Sequence, residues 1–208
     1  PGGIIYGVGL DRQSWMSPFR NKFIHELIIP GTHDSGTAGF PSISLSRTQY
    51  YKIDEQLQDG VRFLDMRLAY NSVEENFHVV HGTDVESNLN FDTVVKWCAD
   101  FLAVHPSETI LMSIKQEGLL PGSDDAFARE LSKWNAAFVT KGTWKSDLWF
   151  TTNEMPRVVD AKGKIVLLRR YTVPKSVANP PLFFGGLDLS YINSSQIGTF
   201  PLTNVNDP

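Results

Sequence analysis

Apolar and polar positions alternate with a period of two in several short stretches of this chain, and the alternation sorts chemistry onto one face. In Phe63-Leu64-Asp65-Met66-Arg67-Leu68, a strand puts Leu64, Met66 and Leu68 on one side and Phe63, Asp65 and Arg67 on the other. The same period groups Phe77, Val79 and His81, with His78 opposite, and groups Ser113, Lys115 and Glu117, with Ile110, Met112 and Ile114 opposite. Two further strands are expected, one at about Ile24 to Pro30 and one in Gly163-Lys164-Ile165-Val166-Leu167-Leu168-Arg169-Arg170-Tyr171, which brings the count to five. A helical period takes over elsewhere. Asp54 to Gly60 reads as a short helix closed by Gly60. Val94, Trp97, Cys98, Phe101 and Leu102 form an apolar stripe after a capping Asp92, and Phe127, Leu131, Trp134 and Phe138 form another after Ser123-Asp124. Ser14 to Phe23 suits a short helix or turn.

Strands alternating with helices, each strand with one apolar and one mixed face, define an α/β chain. They imply parallel strands with right-handed crossovers, in a barrel whose site lies at the strands' C-terminal ends; an open sheet is the alternative. From Tyr171 onward Pro and Gly multiply and no helix is expected, so the chain stops before a barrel could close.

Composition narrows the picture. A chain of 208 residues with 41% hydrophobic and 12% aromatic residues supports a single domain with a substantial core. A net charge of −4 argues against nucleic acid as a partner, because phosphate-backbone affinity needs clustered cations. The single cysteine, Cys98, rules out an internal disulfide framework or a Cys-rich zinc site; on its apolar helical stripe it reads as a small buried hydrophobe. No apolar run approaches the roughly 20 residues of a transmembrane helix. Because residue 1 is Pro, the chain is expected to be processed, trimmed or a fragment.

Candidate chemistry sits where strands end. His33 and Asp34, in Leu27-Ile28-Ile29-Pro30-Gly31-Thr32-His33-Asp34-Ser35-Gly36-Thr37, place a base and a carboxylate where an apolar run opens into a Gly-rich turn. Arg67, His81 and Lys115 close or carry three later runs. Two histidines can divide base and acid roles near neutral pH, and a guanidinium offers paired planar donors to a charged phosphoryl group, so a metal-free phosphodiester site is a sound expectation. His25, His78 and His105 read as structural. Asp65, on Arg67's face, is expected to orient that arginine through an ion pair. Lys115 with Glu117 is equally readable as a solvated strand end, and only one of Arg169 and Arg170 can point inward. Phe40, Tyr50 and Tyr51, or Trp144, Trp149 and Phe150, are either core aromatics or rims that dip into lipid.

Together these runs, with Gly60-Val61-Arg62-Phe63-Leu64-Asp65-Met66-Arg67, His81-Gly82 and Pro106-Ser107-Glu108-Thr109-Ile110-Leu111-Met112-Ser113-Ile114-Lys115, resemble the X-domain of phosphatidylinositol-specific phospholipase C, of the single-domain bacterial and fungal type, from about Trp15 to Tyr171. The resemblance implies a distorted TIM-type barrel lacking its last strands, and cleavage of phosphatidylinositol to diacylglycerol and a 1,2-cyclic inositol phosphate. It implies His33 as general base, His81 as general acid, Asp34 as the acid's supporting carboxylate and Arg67 as phosphate clamp. Lys115 and Arg170 would contact inositol hydroxyls. Calcium-dependent animal members carry a ligand carboxylate where Arg67 stands, so no metal or other cofactor is expected. The family's late aspartate, which orients the base, has no match after Tyr171; Asp188 is the one late carboxylate in an apolar run. A monomer acting outside the cell, on phosphatidylinositol or its glycan-linked form at a membrane surface, is the expected setting. A catalytically inactive inositol-phosphate or lipid-binding module, or another phosphodiesterase of the same superfamily, is the alternative.

Overall fold

The computed structural model describes residues 11–82, 84–117, 125–174 and 176–190. Within them the strands are β1 (Gly31–Thr32), β2 (Phe63–Asn71), β3 (Asn76–His81), β4 (Asp84–Asn90), β5 (Ile110–Gln116), β6 (Trp149–Phe150), β7 (Ile165–Arg170) and β8 (Leu187–Asp188). They form one sheet in the order β4-β3-β2-β5-β7-β6, with β1 also paired to β2 and β8 to β7. Helices α1 (Ile53–Gln58), α2 (Phe91–Val104) and α3 (Ala126–Thr140) complete the fold. This is the expected barrel architecture in distorted form, unclosed among the described residues.

The alternation read from the sequence separates two cores. Leu64, Met66 and Leu68 of β2, Ile110, Met112 and Ile114 of β5, and Ile165 and Leu167 of β7 pack with the apolar faces of the three helices. Their other neighbours form the inner face, and the strand register arranges these in rows. Phe63, Leu111 and Val166 make the lowest row, Asp65, Ser113 and Leu168 the next, and Arg67, Lys115 and Arg170 the highest. Leu111, Val166 and Leu168 pack with Trp15, Met16, Ile24, Val158 and Ala161, which seals the lower end. Polarity therefore rises toward the strands' C-terminal ends.

A buried ion pair ties the lower seal to the sheet. Arg62 and Glu108 both have side chains at 0% exposure and meet at 3.0 Å. The remaining Arg62 N–H groups donate to the carbonyls of Leu57, Val61, Arg12 and Gln13. Glu108 accepts the backbone N–H of Met16 at 3.1 Å, so this pair anchors the segment that carries Trp15 and Met16.

Several expectations need correction. The run from Ile24 to Pro30 is not a strand: Ile24–Glu26 form a 3-10 turn, and pairing begins only at Gly31. Pro30 has no N–H to give a ladder, and its carbonyl instead accepts from Arg62 and Phe63. β3 lies antiparallel to β2 and β4 antiparallel to β3, so the sheet is not wholly parallel. β4 is an additional strand beyond the expected five: in Asp84-Val85-Glu86-Ser87-Asn88-Leu89-Asn90 the alternating set Val85, Ser87, Leu89 has only two apolar members, a weak signal. Asp92 does not cap α2; Asn90 holds that position, and Asp92 accepts from the Asn76 side chain at 3.2 Å. The proposed Ser123-Asp124 cap lies outside the described residues. After Tyr171 the chain still adds a 3-10 turn at Leu182–Phe184 and the short β8.

Candidate active site

β1 and β3 share one edge of β2 and approach each other along it from opposite ends. β1 ends at the Thr32–Leu64 pair, and β3 descends from the Asn71–Asn76 end through the Leu68–Val79 pair toward His81. The turn after β1 therefore meets the end of β3, which brings His33 and Asp34 to His81. Gly36 is needed at this junction, because a Cβ there would lie 2.7 Å from Val79 Cγ1. Asp34 takes a left-handed backbone, φ +46°, a conformation Asp tolerates better than most residues.

The turn is held from several sides. The Asp34 N–H donates to Asp65 Oδ2 at 3.3 Å, Ser35 N–H to the Asp65 carbonyl, and Asp65 N–H to Ser35 Oγ. Thr48 Oγ1 and Gln49 Nε2 donate to the His33 carbonyl at 3.0 and 2.6 Å. From α1, Gln56 donates to the Ser35 carbonyl and accepts from Thr32 Oγ1.

The side chains of this turn meet the polar inner rows. His33 Nε2 and His81 Nε2 each lie 3.1 Å from the same oxygen, Oδ2 of the fully buried Asp34. The other Asp34 oxygen pairs closely with Arg67 Nε. None of these contacts is an aligned hydrogen bond: the one to Arg67 is an ion pair, and those to the histidines are ion pairs only while the imidazole is protonated. Burial pushes the Asp34 carboxyl above the ordinary aspartate range, against the pull of Arg67 and the histidines, and Asp65 adds repulsion.

Asp65 makes the expected ion pair with Arg67, and two nearer contacts besides. Its Oδ2 is 3.0 Å from His33 Nδ1 and its Oδ1 is 3.1 Å from Arg170 Nη1, whereas Arg67 Nε is farther, at 3.7 Å. Asp188 is not near His33: it sits beside Arg169 at 3.0 Å on the sheet's opposite face. Lys115 is no solvated strand end. Its Nζ lies 2.7 Å from Glu117, which also pairs with Arg67 Nη1 at 3.2 Å. Burial works to raise the Glu117 pKa, but the Lys115 hydrogen bond and charge, the Gly82 N–H and Arg67 outweigh it, so the carboxyl sits below the ordinary glutamate range.

All six candidate residues, His33, Asp34, Arg67, His81, Lys115 and Arg170, thus converge on the upper inner face. Sequence reasoning passed over Asp65 and Glu117 as members, although each lies two positions from a candidate, on the same strand face. The other histidines are elsewhere: His78 pairs with Glu74, His105 with Ser14, and His25 stacks on Phe23. Ile43, Leu45 and Tyr50 flank the Thr48-Gln49 support with exposures of 93%, 99% and 87%. Phe40, Trp144 and Trp149 are core residues.

His33, Asp34 and Asp65 place potential metal-ligand atoms within 4.8 Å of one another. The Arg67 guanidinium already sets a permanent positive charge on Asp34 and near Asp65, where a cation would have to bind.

Residues 32–171 match the X domain of phosphatidylinositol-specific phospholipase C. The chain is 30% identical over 166 residues to a 1-phosphatidylinositol phosphodiesterase of Listeria monocytogenes, covering 75% of this chain and 48% of that protein. A Staphylococcus aureus protein of the same name is 30% identical over 163 residues, covering 76% and 51%. Among solved structures, a phosphatidylinositol-specific phospholipase C variant from Staphylococcus aureus aligns with a TM-score of 0.65 at 27% identity, over 77% of this chain and 53% of that one. The Listeria monocytogenes enzyme aligns with a TM-score of 0.63 at 26% identity, over 77% and 57%. The chain spans about half the length of the curated relatives it matches. By the matched span and the order of its site-bearing strands, the chain belongs to the phosphatidylinositol-specific phospholipase C X-domain family.

Proposed function

We propose that the chain cleaves phosphatidylinositol by intramolecular phosphoryl transfer without a metal ion, releasing diacylglycerol and a 1,2-cyclic inositol phosphate. The observation that carries this reading is the pair of imidazoles held 3.1 Å from one Asp34 oxygen, with a guanidinium on the other. Asp65, at His33 Nδ1, selects the tautomer that leaves Nε2 free of a proton, and the inositol 2-hydroxyl takes Asp34's place at that nitrogen. His33 accepts the hydroxyl proton as the oxygen attacks phosphorus. Arg67 stabilises the charge growing on the phosphoryl oxygens, a kind of contact worth about 3–4 kcal/mol in the transition state. His81, held 3.1 Å from Asp34 Oδ2, protonates the departing diacylglycerol oxygen. Each histidine contributes on the order of 10²–10⁴-fold.

Lys115 and Arg170 stand beside Arg67 in the same row and face the inositol ring. The exposed Ile43, Leu45 and Tyr50 set the mouth of the site against a lipid surface, at the outer face of a membrane. No helix among the described residues is long and apolar enough to cross one. Replacing His33 or His81 with Ala tests the assignment: turnover of phosphatidylinositol should fall on the order of 10²–10⁴-fold while the circular dichroism spectrum and melting transition persist. Full turnover in either folded variant overturns it.

A further inference from the structure

Arg67 and Lys115 are direct cross-strand neighbours on β2 and β5, and Arg170 continues the row on β7. Like charges in such register repel unless something stands between them. Asp65 serves Arg170, and Glu117 serves the other two: its Oε1 lies 3.2 Å from Arg67 Nη1 and 2.7 Å from Lys115 Nζ. Its second oxygen has a separate task. Oε2 accepts the backbone N–H of Gly82 at 2.8 Å, and Gly82 follows His81 directly in a left-handed conformation, φ +61°, that glycine adopts without strain. The Glu117 N–H donates to the Leu68 carbonyl at 2.8 Å, so the residue's own backbone is fixed to β2.

We propose that Glu117 is a positioning residue for the reaction, one that sets the phosphate clamp and the general acid at a fixed separation without touching substrate. One carboxylate oxygen holds Arg67 and Lys115 together, and the other pins the turn that ends His81's strand. This inference rests on the phosphodiesterase reading given above. It adds that the acid, and not only the clamp, depends on a residue of β5's exit.

The test uses Glu117→Ala and Glu117→Gln in this chain, with two substrates: phosphatidylinositol, whose alkoxide leaving group needs an acid, and an inositol phosphodiester with a nitrophenolate leaving group, which does not. In Glu117→Ala, kcat on phosphatidylinositol should fall about 100-fold, the low end of a general acid's contribution. The fall on the nitrophenyl ester should be only about tenfold, the share owed to Arg67, with KM within about twofold on both. Glu117→Gln should fall between Glu117→Ala and the unchanged chain. Equal losses on the two substrates, a loss confined to KM, or unchanged kcat in the Ala variant overturns the proposal. Amide hydrogen exchange at Gly82 provides a readout independent of turnover. It should be protected in the unchanged chain and accelerate at least about tenfold in Glu117→Ala; unaltered protection overturns the proposal. If the unchanged chain turns over neither substrate, the phosphodiesterase reading fails, and the Gly82 measurement still decides whether Glu117 pins the turn.

Discussion

Replacing Asp65 with Asn changes almost nothing in volume and everything in hydrogen-bond logic. The carboxylate accepts on both oxygens: Oδ2 faces His33 Nδ1 at 3.0 Å and the Asp34 N–H at 3.3 Å, and Oδ1 faces Arg170 Nη1 at 3.1 Å. An amide has one accepting oxygen and an NH₂ that only donates, so its NH₂ must confront one of these donors. Turned toward His33, it drives the proton from Nδ1 to Nε2 and removes the base. Turned toward Arg170, it sets a donor against a guanidinium in a site where the Asp side chain is 9% exposed. A wrong tautomer in a comparable dyad of serine proteases lowers kcat about 10⁴-fold. His33 is 63% exposed and can recover part of its orientation, so a loss of about 10³-fold is expected, close to 4 kcal/mol. The assay is kcat and KM on phosphatidylinositol in detergent micelles, repeated in a His33→Ala background whose residual activity is measured at high enzyme concentration. There the Asn change should cost less than about tenfold, because the residue it acts through is gone. A kcat loss of less than about tenfold in the single variant, or full additivity in the double variant, refutes the positioning role of Asp65.

Other outcomes follow from the same geometry. Arg62→Met strands a buried carboxylate and several carbonyls beneath the site, so it should cost about 3–5 kcal/mol and lower Tm by about 10 °C, measured by calorimetry. Replacing Arg62 and Glu108 together with apolar residues should recover part of that loss. Glu117 has its folded pKa lowered, so its contribution to stability is present above the unfolded glutamate value and is lost as pH falls through the folded value. Urea midpoints of Glu117→Gln should therefore vary less across the acidic range than those of the unchanged chain. Converting Ile43 and Leu45 to Ser removes apolar contacts worth about 1.5 kcal/mol each at a lipid surface, so binding to phosphatidylinositol vesicles should weaken about 100-fold. Turnover of a soluble short-chain substrate should stay within about twofold.

Much of the fold could be read from alternation alone. The inner rows of β2, β5 and β7 follow from period-two patterning, because each strand buries one face under helices and so must place its apolar residues every second position. Arg67, Lys115 and Glu117 were sorted to the inner face for that reason. β4 is hard to read because only Val85 and Leu89 of its alternating set are apolar, and Leu27 to Ile29 mislead because an apolar run ahead of a proline does not need a ladder. Asp65 is on the expected face and pairs with Arg67 at 3.7 Å as expected, but its nearer partners, His33 and Arg170, are not legible in the pattern. A face assignment contains no distances, and the turn after β1 and the end of β7 both lean over β2, which puts His33 and Arg170 closer to Asp65 than Arg67. Asp188, the late carboxylate in an apolar run, pairs with Arg169, whereas the carboxylate 3.0 Å from His33 Nδ1 is Asp65 of the neighbouring strand.

The central claim is metal-free transfer to the inositol 2-hydroxyl by His33 and His81, and phosphorus NMR addresses it most directly. Phosphatidylinositol in detergent micelles would be incubated with the 208-residue chain and a chelator. A five-membered cyclic phosphate resonance that grows in the chelator's presence, and fails to appear with His33→Ala, is the expected result. A folded sample that yields no such resonance, or yields it only after a divalent cation is restored, contradicts the claim.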